Sequence, residues 1–440
     1  MNHSALIYSH SVSPRLQYVV DFIEQYFGCF FKMIYDEEKY IAAADNCKIN
    51  YGYHRLSDGE IFIHSHVLLF ESAIRPVKVE CFEKDGYKIF FKTEGEEGFD
   101  IFAAIFYLLT RYEEYLPHKK DSYGRYGHFN SVAFREGFLH LPLINIWLED
   151  FRKLLTQRNE AFSKPGNHFS FLPTYDIDMA WVFRNKGIKR NIGGVLLFLL
   201  KGQFRKMMFR IRVLRGIRKD PYDAYDWMDR LHKEHALNPV YFFLVAKATG
   251  RFDKNNDIDV PEFRQLIKSI ASKYEVGIHP SWASGDHPSL LTGEKTTLEE
   301  ITGKKITASR QHFIRFNLPT TYQHLVALGI TNDYSMGYGT CNGFRASIAS
   351  PFYWYDLKKE EKTKLLIHPF CFMDANSYYE EKATPAVAAE QMMQYYESIM
   401  KVNGTMITVW HNSFLGTAEE FSGWKEAYEG FVTHAASTTN

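Results

Sequence analysis

From residue 168 almost to the end of this 440-residue chain, strand-like and helix-like segments alternate, and no other feature limits the fold so much. Strands are expected at 169–175, 240–245, 275–279, 306–311, 331–334, 364–368 and 406–410, with helices at 222–236, 261–273, near 298, at 320–328, 385–400 and 418–431. Thr384-Pro385 supplies an N-cap with Pro at the first helical position, and Asn403-Gly404 supplies a stop. Strands that alternate with helices imply a parallel sheet, and seven such units favour closure. The expected fold class is α/β: a (β/α) barrel, seven-stranded and distorted, over residues 168–435, after a smaller mixed α/β domain over residues 1–160. That first region shows a helix at 16–27 stopped by Gly28, strand-like runs at 61–64 and 87–91, and helices at 102–115 and 144–156, with no chemical motif. Lys164-Pro165-Gly166-Asn167 reads as the linker.

In such a barrel the active site sits at the C-terminal ends of the strands. Six of the seven expected strands end in residues that can bind metal, move protons or fix an anion. The first ends in Thr174-Tyr175-Asp176-Ile177-Asp178, the third in His279-Pro280-Ser281-Trp282 and the fourth in Arg310-Gln311-His312. Asp333 lies on the fifth, His368 closes the sixth, and Trp410-His411 closes the last. Each alone has a bland reading, as a helix cap, a hydrogen-bonded core residue or a surface charge. Their recurrence on one rim points to chemistry. A divalent metal on carboxylate and imidazole acidifies water and polarises a carbonyl, a second carboxylate takes a proton, and a protonated His delivers one.

The motifs resemble those of the NodB-type polysaccharide deacetylases, carbohydrate esterase family four, over roughly residues 168–435. Thr174-Tyr175-Asp176-Ile177-Asp178 is similar to that family's Thr-Phe-Asp-Asp-Gly signature with one residue inserted. The resemblance implies Asp176 as base, Arg310 as the residue orienting it, and His411, at the end of an apolar run, as general acid. It implies Asp178 and His279 as ligands of a divalent metal, zinc by preference; position 283, where the family has its second His, is Ala283, and His312, on the next rim position, is the candidate third ligand. Trp282, Asp333, Arg345, His368 and Trp410 are the expected substrate contacts. Segments such as Gly343-Phe344-Arg345 are similar to a divergent bacterial branch in which the barrel follows an N-terminal α/β domain. The implied activity is hydrolytic removal of an acyl group, N-acetyl in the first instance, from a sugar or polysaccharide intermediate. The alternatives are a catalytically silent barrel that binds glycan or scaffolds surface-polysaccharide assembly, and a metal-free glycoside hydrolase using Asp176 with Asp333 or Asp178.

Charge adds one constraint and one anomaly. A formal net charge of zero argues against nucleic acid as the partner. Yet residues 184–219 hold twelve Lys or Arg and no Asp or Glu, interleaved with the run Val195-Leu196-Leu197-Phe198-Leu199-Leu200. Such a stretch suits either an anionic membrane surface, near a lipid-linked glycan, or a solvated lid. Five scattered cysteines without a CxxC, and an N-terminus without the charged head and apolar run of a secretory signal, give a cytoplasmic expectation, peripheral at the inner membrane face if the basic stretch docks there.

Overall fold

The computed structural model describes residues 4–248 and 250–437, with the side chain of Lys189 left out. Met1, Asn2 and His3, on which the N-terminal reading partly rests, lie outside the described residues. Four strands, β1 (Ala5–Ser9), β2 (Phe31–Ile34), β3 (Lys48–Gly52) and β4 (Ile61–His64), form a parallel sheet in the order β2-β1-β3-β4. Helix Pro14–Phe27 lies between β1 and β2 in sequence. Ser13 starts it by accepting from the Leu16 amide, and Gly28 ends it in the left-handed conformation at φ 63°. A hairpin, β5 (Cys81–Lys84) and β6 (Tyr87–Phe90), follows. Helix Ile101–Leu109 is capped by Asp100 and buried all round, and the chain turns sharply at Arg111. The helix expected to run to residue 115 therefore stops at Leu109 and a short 3-10 turn replaces its end.

The second sheet carries the rhythm seen in the sequence. Its strands are β7 (Ser170–Ile177), β8 (Val240–Phe243), β9 (Glu275–Ile278), β10 (Ala308–Ser309), β11 (Asn332–Asp333), β12 (Phe352–Asp356), β13 (Glu361–Ile367), β14 (Phe372–Met373) and β15 (Thr405–His411). They pair in the order β12-β13-β11-β10-β9-β8-β7-β15-β14, all parallel except β12. Eight parallel strands thus stand where seven were expected, and β13 and β14 are not paired with each other among the described residues. The closed seven-stranded barrel is corrected to a curved sheet open along one seam. The curvature follows from chain length. Laid flat, β13 and β14 would stand ~34 Å apart at ~4.8 Å per strand. The link from Ile367 to Phe372 can span only ~18 Å fully extended.

Arg310 shows the same curl from inside. Its buried guanidinium donates to Tyr334 O (3.0 Å) beyond β11 and to Thr174 Oγ1 (2.7 Å) on β7, and lies over Phe242 of β8 at 4.5 Å. One side chain reaches strands that a flat sheet would hold four positions apart. Helices cover the outside, among them Pro288–Thr302, a full helix where only a weak one near 298 was expected, and Pro385–Met400. The last helix is Trp424–Ser437, displaced from the expected 418–431 because a 3-10 turn at Glu419–Phe421 precedes it.

Candidate metal centre and catalytic cavity

Strand alternation builds the centre. Residues two apart on a strand share a face, so Thr174, Asp176 and Asp178 point one way from β7. Tyr175 points the other way, bonded to His232 and Tyr428 in the outer core. The residue inserted between the two aspartates, Ile177, is what puts both on one face. His279 follows β9, Arg310 and His312 follow β10, and His411 closes β15, beside β7 with His411 opposite Asp176. Ligand atoms of Asp178, His279 and His312 all lie within 4.8 Å of one another. All three, with Asp176 and His411, line a cavity of about 550 Å³.

Hydrogen bonds behind the two imidazoles fix their tautomers. His279 Nδ1 lies 2.6 Å from the Arg310 carbonyl, which can only accept, so Nδ1 carries a proton. His312 Nδ1 lies 3.0 Å from an Asp253 carboxylate oxygen, with the same consequence. In the neutral rings both Nε2 atoms are then bare acceptors. His279 Nε2 stands 3.1 Å from Asp178 Oδ1, and His312 Nε2 stands 3.5 Å from Asp178 Oδ2. Asp178 Oδ1 has no hydrogen-bond partner. Acceptors converging on acceptors need a cation or proton between them. Two ligands ~2.0–2.1 Å from one tetrahedral zinc ion stand ~3.3 Å apart, so the spacings match a shared ion. Protonation follows the same logic. Burial opposes charge on His312, but Asp178 and Asp253 outweigh it and push its pKa up to about 9. Burial would raise the Asp178 pKa, but His312, His279 and His411 hold it well below the usual carboxylate range.

Two further pairs flank this point. Arg310 donates to Asp176 Oδ1 at 2.8 Å, leaving Oδ2 3.8 Å from His279 Nε2. On the other side, Asp374 accepts from the His411 amide (2.6 Å) and holds His411 Nδ1 at 2.7 Å. Burial opposes charge on His411 too, but Asp374, Asp178 and Asp176 overcome it and push its pKa up to about 10. His411 Nε2 faces Asp178 Oδ2 at 3.7 Å.

Asp253 and Asp374 were not foreseen. Asp253 lies in the loop after β8, a strand whose end, Phe242-Phe243, and the residues just past it, Leu244-Val245-Ala246, show no polar signal. Asp374 follows β14, which is only two residues long. Tyr123 and Arg125, from the first 160 residues, also line the cavity, as do Phe313, Tyr379 and Phe414.

The expected substrate contacts fare differently. None of Trp282, Asp333, Arg345, His368 and Trp410 is among the residues lining the cavity. Trp410 is fully buried with its ring 4.5 Å from that of Tyr428, because its strand position points outward into the helix layer. Asp333 is buried and accepts from Ser309, Ser335 and Tyr322. Arg345 is buried in an ion pair with Glu114 (2.5 Å). His368 stacks on Tyr334 at 4.2 Å and contacts Asn332. Trp282 is sandwiched between Phe252 (4.1 Å) and the Arg315 guanidinium (4.4 Å).

A family of unknown function, DUF7033, matches residues 5–160. No curated protein matches the chain. Solved structures similar to it include a Mycobacterium smegmatis protein provisionally named a polysaccharide deacetylase, at 16% identity and TM-score 0.40, covering 62% of this chain and 85% of that one. An allantoinase is similar at 12% identity and TM-score 0.39, covering 61% and 84%. A Bacillus cereus polysaccharide deacetylase is similar at 11% identity and TM-score 0.29, covering 61% and 88%. Likeness at this level transfers no activity to this chain.

Proposed function

We propose that the protein is a metal-assisted hydrolase that removes an acyl group, N-acetyl in the first instance, from a sugar or polysaccharide intermediate. The observation that carries this reading is the convergence of Asp178, His279 Nε2 and His312 Nε2 on one point, between a carboxylate held by Arg310 and a histidine held by Asp374. A divalent ion held by Asp178, His279 and His312, zinc by its donor set, supplies a polarised carbonyl and a water acidified towards neutrality. Asp176 is the base: Arg310 occupies one carboxylate oxygen and leaves Oδ2 to take the proton of the attacking water. His411, kept charged by Asp374, hands its proton to the departing nitrogen. Aromatic walls from Tyr123, Phe313, Tyr379 and Phe414 suit the apolar faces of sugar rings.

The silent-barrel alternative drew its support from Ala283. His312 offers a candidate third donor from the next strand, which favours the hydrolase reading. The glycoside-hydrolase alternative loses Asp333, which is pinned away from the cavity. Metal analysis together with acetate release from N-acetylated oligosaccharides tests the proposal. One equivalent of divalent metal, lost in Asp178→Ala and His279→Ala along with acetate release, is the expected result. Full metal occupancy after both changes would refute it.

A further inference from the structure

We infer that the basic segment after β7 is a docking surface for an anionic membrane. It folds as two helices, Ile188–Leu200 and Phe204–Leu214, packed on each other. None of the described side chains of the first helix is buried. Its residues Ile188, Ile192, Leu196 and Leu200 recur every fourth position, so they form one stripe, and they are 51–84% exposed. Phe204 and Met208 continue the exposed apolar surface on the second helix. Ile188, Ile192, Val195 and Leu196 meet Leu214 across an apolar hollow of about 360 Å³. A contiguous apolar face of this kind on a soluble domain marks an interaction site.

The hairpin is a built element and not a floppy insertion. Arg210 is buried between the helices, where it donates to Arg190 O (3.1 Å) and Asn191 Oδ1 (2.9 Å). Gly194 makes room for it, since a Cβ there would stand 1.7 Å from its guanidinium. At the base, Asp220 accepts from the amides of Val182, Phe183 and Arg184. Asn412 ties both ends of the segment together, donating to Met179 O (3.1 Å) and Tyr222 O (2.9 Å). Asn412 directly follows His411, so the hairpin is rooted at the rim of the cavity.

Charge selects the occupant. Twelve of the chain's 52 Lys and Arg fall in residues 184–219, with no acid among them. Arg205, Lys206, Arg212, Arg215 and Arg218 are exposed on the second helix and the turn after it. A second copy of the chain on this face would bring two such clusters together without a counter-charge. An anionic lipid surface accepts both the cations and the apolar stripe, with the helices lying in the headgroup plane. No described helix is long and apolar enough to cross a membrane.

Vesicle flotation of the full chain tests this independently of any activity. The protein should float with vesicles containing about a third phosphatidylglycerol, not with phosphatidylcholine alone, and should be released by high salt. Ile192→Glu with Leu196→Glu, and separately Arg205→Glu with Lys206→Glu, should each weaken partitioning roughly tenfold or more, while metal content and melting temperature stay unchanged. A chain that stays soluble beside anionic vesicles at low salt refutes the inference. So does salt-reversible binding that survives loss of the stripe, which would mark a soluble polyanion site. A concentration-dependent dimer abolished by Leu196→Glu, without flotation, would assign the face to self-association and overturn it as well.

Discussion

Asp253 touches no expected ligand atom of the metal, yet Asp253→Asn should weaken metal binding. Its carboxylate accepts from His312 Nδ1 at 3.0 Å, which keeps the proton off Nε2 and fixes the ring plane towards Asp178. An asparagine with its oxygen in that place offers a neutral acceptor instead of a carboxylate, so it holds the Nδ1 proton less firmly and leaves Nε2 a poorer ligand. Loss of such a supporting carboxylate costs ~10–100-fold in metal affinity, or about 1.4–2.7 kcal/mol. His312→Ala, which leaves only Asp178 and His279, should cost more than about 100-fold. The same oxygen, Asp253 Oδ1, also accepts from the Trp282 amide at 2.8 Å, a bond that an asparagine oxygen placed there can keep. The loop should therefore hold its fold, and the effect should appear in metal affinity more than in melting temperature. Zinc competition against a chromophoric chelator near neutral pH reads the first, and calorimetry of the metal-free protein reads the second. Wild-type affinity in both variants, or an Asp253→Asn variant that loses stability but not metal, would refute the assignment of His312.

Three further outcomes follow from the same contacts. Asp374→Asn removes the charge that holds the His411 proton and should lower kcat for deacylation ~100-fold or more with metal stoichiometry intact, as read by steady-state kinetics beside metal analysis. Arg310→Met leaves the buried Asp176 carboxylate without its cation and should cost about 3–5 kcal/mol in urea unfolding, whereas a surface Arg change costs almost nothing. Glu114 should make stability acid-sensitive. Burial alone would raise its pKa, but the guanidiniums of Arg345 and Arg111 outweigh that and hold it at about 2, from an ordinary 4.5. A depressed folded-state pKa means the contribution, about 3 kcal/mol, is present above the ordinary value and lost as pH falls towards 2. Urea unfolding at several pH values should show this slope in the wild type and its loss in Glu114→Gln; parallel curves would refute it.

The sequence was most legible where local chemistry and tertiary demand agree. Helix Pro385–Met400 begins at the expected Thr384 cap and Pro385, because a hydroxyl cap and a preset proline φ act within one turn. Strand β4 has the expected bounds, because its short run of β-branched and aromatic residues suits a buried strand. The convergence of Asp176, Asp178, His279, His312 and His411 on one cavity, with Arg310 bonded to Asp176, was readable because strand ends converge whenever parallel strands curl. What escaped depends on contacts between distant segments. Strands β10, β11 and β14 are two residues long, set by ladder position and not by composition. Hence Asp374 had no visible strand to close, and the ends of β10 and β11 were drawn too long. Aromatic and charged rim residues could not be sorted by sequence alone. Trp410 and His411 are neighbours, and one residue of register sends the first into the helix layer and the second into the cavity.

Register also bears on the first 160 residues, which showed no motif of their own. Glu114 pairs with Arg345, and Arg111 reaches Tyr338. Arg345 and Tyr338 belong to the long connection between β11 and β12, so the two regions share a buried ionic contact. Beyond it, Arg125 donates to the Phe313 carbonyl at 2.6 Å, and Gly339 lies so close that a Cβ there would meet its guanidinium at 2.0 Å. That contact holds Tyr123 against Phe313, with ring centroids 5.6 Å apart, on the wall of the cavity. A substrate entering the cavity therefore meets side chains from both regions at once. The proposed metal ligands and proton-moving pairs come from the curved sheet and the loops that follow its strands. Part of the cavity wall, Tyr123 and Arg125, comes from the N-terminal region, which the buried Glu114–Arg345 pair also ties to the connection between β11 and β12.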